Sequence, residues 1–356
     1  MRDCLDSINM FVPQSQRSQL CKDITKPEVL DAITKLAWHK APGIDGLSIN
    51  YYKMFKGALA GPLLKLFEHC LATGKLPSTT RTSVISLLHK KNERNLIKNY
   101  RPISLTNTDY KILSKILQLR MNPTMNNVIN ADQNGFVPCR FIGENNMLLH
   151  EMIEHMQEQY EMGDTPKKGA LIFLDFEKAF DRVDHDFMFM VLSKMGYPPQ
   201  FTNWVKLLHS GATATVRVNN VDSNKFDIHS GVKQGCPLSP LLFACVVETM
   251  ANLLRNCEAI EGIVSPRGRM TKLSQYADDT TLTLQNVLES LPAALEMIEI
   301  FCQVSCMKLN VDKTEGMLLG VDSNVPRCGD MINNILKLKV KWCARDGLLR
   351  SLGTQL

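Results

Sequence analysis

Residues 169–175 read Gly-Ala-Leu-Ile-Phe-Leu-Asp, and this heptapeptide limits the fold more than any other stretch of the chain. Five apolar residues in succession, Ala170 to Leu174, show no polar alternation. The segment therefore predicts a strand covered on both faces. Such a strand needs a layer on each side of its sheet, and 356 residues with 44% hydrophobic content suffice to supply them. Asp175 closes the run, where the strand meets a helix-like turn.

A second acidic feature lies far downstream, at Tyr276-Ala277-Asp278-Asp279. Period-two alternation in its flanks, 272–275 and 280–284, predicts two strands with the acids at a tight hairpin. Two adjacent carboxylates repel unless a cation neutralises them, which suits metal-assisted phosphoryl chemistry. Asp is also a common turn residue, so the tetrapeptide by itself supports a plain polar turn equally well. If strand and hairpin share one sheet, Asp175, Asp278 and Asp279 converge. Magnesium takes carboxylate oxygens together with substrate phosphates, and two such ions would clamp the attacking and leaving oxygens of an in-line displacement.

The rest of the chain supplies the layers. Thr25-Lys26-Pro27-Glu28 reads as a capping box with Ile24 and Val29 as a hydrophobic staple, opening a helix that runs to about residue 38. Lys40-Ala41-Pro42-Gly43-Ile44-Asp45-Gly46 breaks it. A helix near 51–73 closes at Gly74. Strands are expected at 82–88 and 101–105, helices at 110–121 and 145–160, and a polar linker at 163–168. Asp184 caps a helix that closes at Gly196. A hairpin pairs 212–219 with 225–228 around Asn219-Asn220. Ser239 caps a helix that starts at Pro240 and reaches about residue 257. A helical first half followed by mixed strands and helices predicts an α+β architecture.

Charge and cysteine usage narrow the partners. Residues 81–120 hold nine Lys or Arg against two acids, a local excess of seven where the whole chain carries +5. Such a stripe suits a phosphate-bearing partner and reads equally well as a solvated helix face. Eleven cysteines lie scattered without a CxxC pair, which argues for reduced thiols and against disulfides or zinc. The eight histidines show no metal spacing. No signal peptide is evident at the N-terminus. The longest apolar stretch, 241–254, is interrupted by Glu248 and is too short to span a bilayer. A soluble, intracellular protein without membrane partners is expected.

Seven stretches, in one order, resemble the motifs of reverse transcriptases from LINE-type (non-LTR) retrotransposons. They are Lys40–Gly46, Asn99-Tyr100-Arg101-Pro102-Ile103-Ser104-Leu105, Asp132-Gln133-Asn134-Gly135-Phe136, Phe173–Asp181, Gly231–Pro240, Tyr276–Asp279 and Lys308–Glu315. The resemblance covers about residues 25–350. It implies a right-hand polymerase fold, with helical fingers and a palm whose mainly antiparallel sheet is flanked by helices. The implied ranges are an N-terminal extension at 1–24, fingers at 25–165, the palm at 166–346 and the start of a primer grip at 347–356. On this expectation the chain stops before the thumb and lacks the endonuclease region of a full-length element.

The implied activity is RNA-directed DNA polymerisation with an RNA template, a DNA primer and dNTPs, using two Mg2+ ions for which Mn2+ can substitute, and a nuclear location. The resemblance assigns Asp175 and Asp278 as metal ligands, Asp279 as a more peripheral electrostatic partner and the Phe176 carbonyl as a further ligand. It makes Phe180 the steric gate against a ribose 2′-hydroxyl. Lys90 and Arg101 would bind the triphosphate, with Lys91 the close competitor to Lys90. Gln234 and Gly235 would lie against nucleotide and template, and Lys313 would act as general acid for pyrophosphate. Taken singly, Phe180 reads as a core aromatic, and Arg101 and Lys313 as surface residues. Cys139 and Cys306 stand where the family usually has Gly, and Ser230 where a basic residue is common. A positive φ at either Cys would cost roughly 1 kcal/mol or more. A non-catalytic nucleic-acid-binding remnant is the alternative. A different metal-dependent nucleotidyl enzyme fits the Arg101 and Gln234-Gly235 motifs less well.

Overall fold

The expected central strand is the middle of a five-stranded sheet. The computed structural model describes residues 1–162, 169–266, 268–320, 325–336, 340–343, 350–351 and 354–355. The chain forms two compact units, each assembled from separate stretches: Met1–Met10, Val128–Arg182 and Ala244–Leu356 in one, Phe11–Asn127 and Val183–Phe243 in the other. Each unit thus draws on both the 25–165 and the 166–346 ranges. Mixed helix and sheet in both units make the protein α+β.

In the first unit the strand order is Lys341–Cys343, Glu315–Leu319, Gly169–Leu174, Asp279–Gln285 and Leu273–Tyr276. All pairings are antiparallel except that of Lys341–Cys343 with Glu315–Leu319. Ala170, Leu171 and Ile172 are fully buried, as the unbroken apolar run requires. Helix Ile142–Glu161 places Leu149, Met152 and Met156 on one stripe, against Leu171, Met317 and Leu319 of the sheet. Helix Val287–Ser305 packs on the Asp279–Gln285 strand. It ends at Cys306 with φ 59°, and Cys139 has φ 64°. Both cysteines therefore lie in the left-handed region, where a side chain costs about 1 kcal/mol.

In the second unit Thr82–His89 lies between Tyr100–Leu105, antiparallel, and Thr213–Val218, parallel. The expected 212–228 hairpin has two short partner strands instead of one. Asn219 and Asn220, both at positive φ, turn the chain directly into Val221–Asp222, and Phe226–Asp227 returns to Thr213 and Ala214. The capping box of Thr25 and Glu28 forms, and its helix stops at Lys35 because Leu36 is extended. The 51–73 helix is split at Phe55 into Ile49–Met54 and Lys56–Thr73, the latter closed by Gly74 at φ 68°. Helix Thr108–Met121 buries Tyr110, Ile112, Leu113, Ile116 and Leu117. Among the described residues no helix is long and apolar enough to cross a membrane. The polar linker expected at 163–168 and most of the 347–356 primer-grip start lie outside the described residues. Within the latter, Arg350–Ser351 pairs antiparallel with Thr354–Gln355.

Candidate active site

The sheet of the first unit brings the two acidic motifs to one end. Leu174 pairs with Thr280, and Asp279 pairs with Tyr276. Asp175 and the hairpin tip therefore emerge together, although they are far apart in sequence. The turn consists of Ala277 and Asp278, and Asp279 is already the first residue of the returning strand. Both acids thus fall at the hairpin, as expected: Asp278 is half-buried at its tip, and Asp279, exposed, closes the turn by pairing with Tyr276.

Past Leu174 the chain stays extended for one more pairing, between Phe176 and Leu309. The Asn310 amide donates to the Asp175 carbonyl at 2.7 Å, and the Glu177 amide donates to the Lys308 carbonyl at 2.9 Å. These bonds come from the neighbours of Phe176, so its own carbonyl takes no part in this pairing. Asp175 Oδ2 accepts a hydrogen bond from Asn310 Nδ2 at 2.9 Å and lies 3.7 Å from Lys313 Nζ. Glu177 is engaged by Arg182 at 3.2 Å and Lys308 at 3.3 Å. Asn310 is a site residue that no single-residue signal marked, since Asn in a short polar loop reads as a turn former. Its motif, Lys308–Glu315, was the available clue.

Among the described residues no group of three or more His, Cys, Asp or Glu is arranged to hold a metal by itself. The three expected carboxylates thus form no such group there: Asp175 follows one strand, Asp278 lies in the turn and Asp279 opens the returning strand. The groups expected to bind a metal, the carboxylates of Asp175 and Asp278 and the Phe176 carbonyl, are all oxygen donors. Such a set fits magnesium, which takes one or two carboxylates and completes its shell with water and substrate phosphate.

Phe180 follows in the short helix Ala179–Arg182 and is half-buried. Phe136 meets it edge-on with ring centroids 6.1 Å apart, and meets Tyr276 at 6.5 Å. Phe136, itself at φ 63°, thereby connects the gate candidate to the hairpin. Its exposed ring would otherwise read as a lone surface aromatic.

The remaining candidates gather in the second unit. The Lys90 amide donates to the Asn99 carbonyl at 2.9 Å, and Arg101 pairs with Leu88, so both cations stand at one end of the strand pair with side chains in solvent. Lys91 is also exposed, in the loop that follows. The Ser104 amide donates to the Gln234 carbonyl at 2.9 Å, along the edge of the strand that carries Arg101. Gly235 has φ 112°, and a Cβ there would sit 3.0 Å from the Ser104 carbonyl oxygen, so glycine is required on both grounds. A cleft of about 430 Å³ is lined by residues of three motifs, among them Lys40, Ala41, Ile103, Ser104 and Gly235. The neighbouring Lys233 is buried with its ammonium 4.3 Å from the centre of the Tyr110 ring, and burial pushes its pKa down to about 8. That buried cation was not legible in a loop rich in Gly and Pro.

One charged network lies inside the first unit. Arg255 Nε is 2.8 Å from Asp132, and Arg255 Nη2 is 2.7 Å from Glu248. Glu248 is 1% exposed, and burial pushes its carboxyl up from 4.5 to about 7 against the pull of Arg255. A carboxyl that holds its proton more tightly when folded adds stability that is complete below about pH 4.5 and lost as the pH rises through about 7. Glu248→Gln is expected to flatten the fall in melting temperature between about pH 5 and pH 8. Thermal melts of both proteins across that range measure it, and an unchanged slope would assign the titration to another group.

Four similarities to known proteins bear on this arrangement. Residues 88–344 match the family model described as reverse transcriptase (RNA-dependent DNA polymerase). The chain is similar to the transposon TX1 uncharacterized 149 kDa protein of Xenopus laevis, 34% identical over 87% of this chain and 23% of that protein. It is similar to the Retrovirus-related Pol polyprotein from type-2 retrotransposable element R2DM of Drosophila melanogaster, 26% identical over 79% of this chain and 25% of that protein. The RNA-directed DNA polymerase from mobile element jockey of Drosophila funebris is 26% identical over 84% of this chain and 31% of that protein. The chain spans about a quarter of the length of the first two.

Proposed function

We propose, for a chain that belongs to the reverse transcriptase (RNA-dependent DNA polymerase) family in its non-LTR retrotransposon branch, that it is an RNA-directed DNA polymerase core adding dNTPs to a primer 3′-hydroxyl. The observation that carries this reading is the emergence of Asp175 and the Asp278 turn at one end of one sheet. Asp175, Asp278 and the Phe176 carbonyl would hold Mg2+, or Mn2+ in its place, with Asp279 contributing field from farther out. When bound, two such ions supply activation of the 3′-hydroxyl and neutralisation of the leaving pyrophosphate.

The chain's own residues do the rest. Asn310 orients the Asp175 carboxylate through its 2.9 Å hydrogen bond. Lys313 stands 3.7 Å from that carboxylate, as a proton donor for pyrophosphate. Phe180, braced by Phe136, rejects a 2′-hydroxyl. Arg101 grips the triphosphate as a fork and Lys90 as a point charge, with Lys91 in reserve. Gln234 and Gly235 bring backbone close to nucleotide and template, beside the cleft that also holds Lys40. The right-hand division assigns 25–165 to fingers and 166–346 to palm, with 1–24 as an extension and 347–356 as the start of a primer grip. An RNA template and a DNA primer, met in the nucleus, are the partners.

The strained Cys139 and Cys306 favour a second reading, a nucleic-acid-binding remnant of impaired catalysis. Primer extension on an RNA template with dNTPs and Mg2+, beside Asp278→Asn, decides between them. Incorporation that disappears in Asp278→Asn supports the polymerase. RNA binding without incorporation supports the remnant.

A further inference from the structure

The turn that carries Asp278 is strained, and a buried side chain holds it. Ala277 has φ 59° at the first central position of a two-residue hairpin turn, where glycine is the residue that fits without cost. It is 4% exposed, so water does not serve its peptide groups. Both are served by Gln133, which is fully buried. Gln133 Oε1 accepts from the Ala277 amide at 2.9 Å, and Gln133 Nε2 donates to the Ala277 carbonyl at 3.2 Å. The same Oε1 accepts from the Gly135 amide at 2.7 Å. A Cβ on Gly135 would lie 2.1 Å from the Ala277 nitrogen, so the 133–135 segment is pressed directly against the turn.

This segment is itself anchored. The Gln275 amide donates to the Asp132 carbonyl at 2.8 Å, and the Asn134 amide donates to the Gln275 carbonyl at 2.9 Å. Asn145 donates to Ser274 Oγ at 2.7 Å and to the Gln275 carbonyl at 2.9 Å, and accepts from Asn134 at 2.8 Å. Arg140 gathers the carbonyls of Ile129, Asn130 and Gln133. The bonds of Asn134, Asn145 and Arg140 fix the strand, the segment and the chain just before it. Among the described residues, Gln133 is the side chain that grips Ala277, whose peptide bond leads into Asp278.

We propose that Gln133 is a positioning residue: its carboxamide holds the Ala277 peptide in the positive-φ conformation and so sets the direction in which Asp278 is presented to a divalent cation. The proposal rests on the polymerase reading for its catalytic consequence, and on geometry alone for its effect on cation binding. A misplacement of about 1 Å at a reacting centre can cost on the order of 100-fold in rate. A side chain that only filled the core would affect stability and leave cation affinity alone.

The test uses the whole chain and two readouts, Mn2+ affinity by electron paramagnetic resonance titration and primer extension on RNA. Gln133→Met preserves volume and removes the grip. It is expected to weaken Mn2+ binding severalfold and to lower kcat roughly 10- to 100-fold with the dNTP KM within about twofold. Ala277→Gly relieves the strain but not the two unpaired peptide groups, so adding it to Gln133→Met is expected to restore part of both losses. Asn145→Ala removes comparable buried bonds from the same network and is expected to lower the melting temperature with Mn2+ affinity unchanged. The proposal is overturned if Gln133→Met lowers only the melting temperature, or if Ala277→Gly restores nothing. Absence of incorporation by the unaltered chain would overturn the polymerase reading, and the Mn2+ titrations would still decide the role of Gln133.

Discussion

Asp175→Asn is expected to reduce primer extension by about a thousandfold or more while leaving the melting temperature nearly unchanged. Asp175 follows a strand with five of its six residues buried, yet its side chain is 45% exposed, and among the described residues its polar partners are Asn310 and the 70% exposed Lys313. An exposed ion pair of that kind contributes at most about 1 kcal/mol to folding. Asparagine keeps an oxygen that can still accept from Asn310, so the loop is expected to stay in place. The lost charge is another matter. Electrostatic stabilisation of developing charge is often the largest single contribution to catalysis, and about 1.4 kcal/mol corresponds to a factor of ten in rate. Removing a carboxylate from the donor set leaves it short of charge for a divalent cation. Steady-state extension assays and thermal melts on the same preparation check both halves. A variant that retains extension within about tenfold would remove Asp175 from the metal site.

Arg255→Leu is expected to cost about 3–5 kcal/mol of folding stability, the largest effect foreseen at a residue outside the acidic end of the sheet. The Arg255 guanidinium bridges Asp132 and Glu248 and is hydrogen-bonded to Asn252 as well. Leucine would leave Asp132, whose side chain is 11% exposed, and the fully buried Glu248 side chain without their cation. Breaking one partner of a buried charge network is expensive because the others stay behind uncompensated. The loss is expected to be smaller at pH 5 than at pH 8, because Glu248 already holds its proton at the lower pH. Adding Glu248→Gln is expected to recover part of it. Urea denaturation of the single and double variants at the two pH values measures this coupling. Additive losses would mean that the two residues do not share one network.

Much of this architecture is legible in the pattern of neighbouring residues. Ala170–Leu174 lacks polar alternation because both of its faces meet apolar layers, so its central place followed from its pattern. The capping box at Thr25 and Glu28 and the closure at Gly74 were legible because caps are local chemistry. The helix break at Phe55 was not, since neither Gly nor Pro marks it. Val221–Asp222, the partner of Thr213–Val218 outside the expected 225–228 strand, is not legible because a two-residue strand carries too little periodicity to register. The interleaving of the two compact units was hidden as well, since contact between distant stretches leaves no mark in either.

The sequence by itself determined where the acids lie and what kind of element carries each. A buried run ending in Asp175 and an alternating hairpin around Asp278 are patterns of neighbouring residues, and neighbouring residues are what periodicity records. Only the tertiary structure decided what holds those acids in place. Asn310 reaches Asp175 across 135 residues, and Gln133 reaches Ala277 across 144. A hydrogen bond depends on a separation of about 3 Å, and no composition or spacing encodes which distant amide will be brought that close.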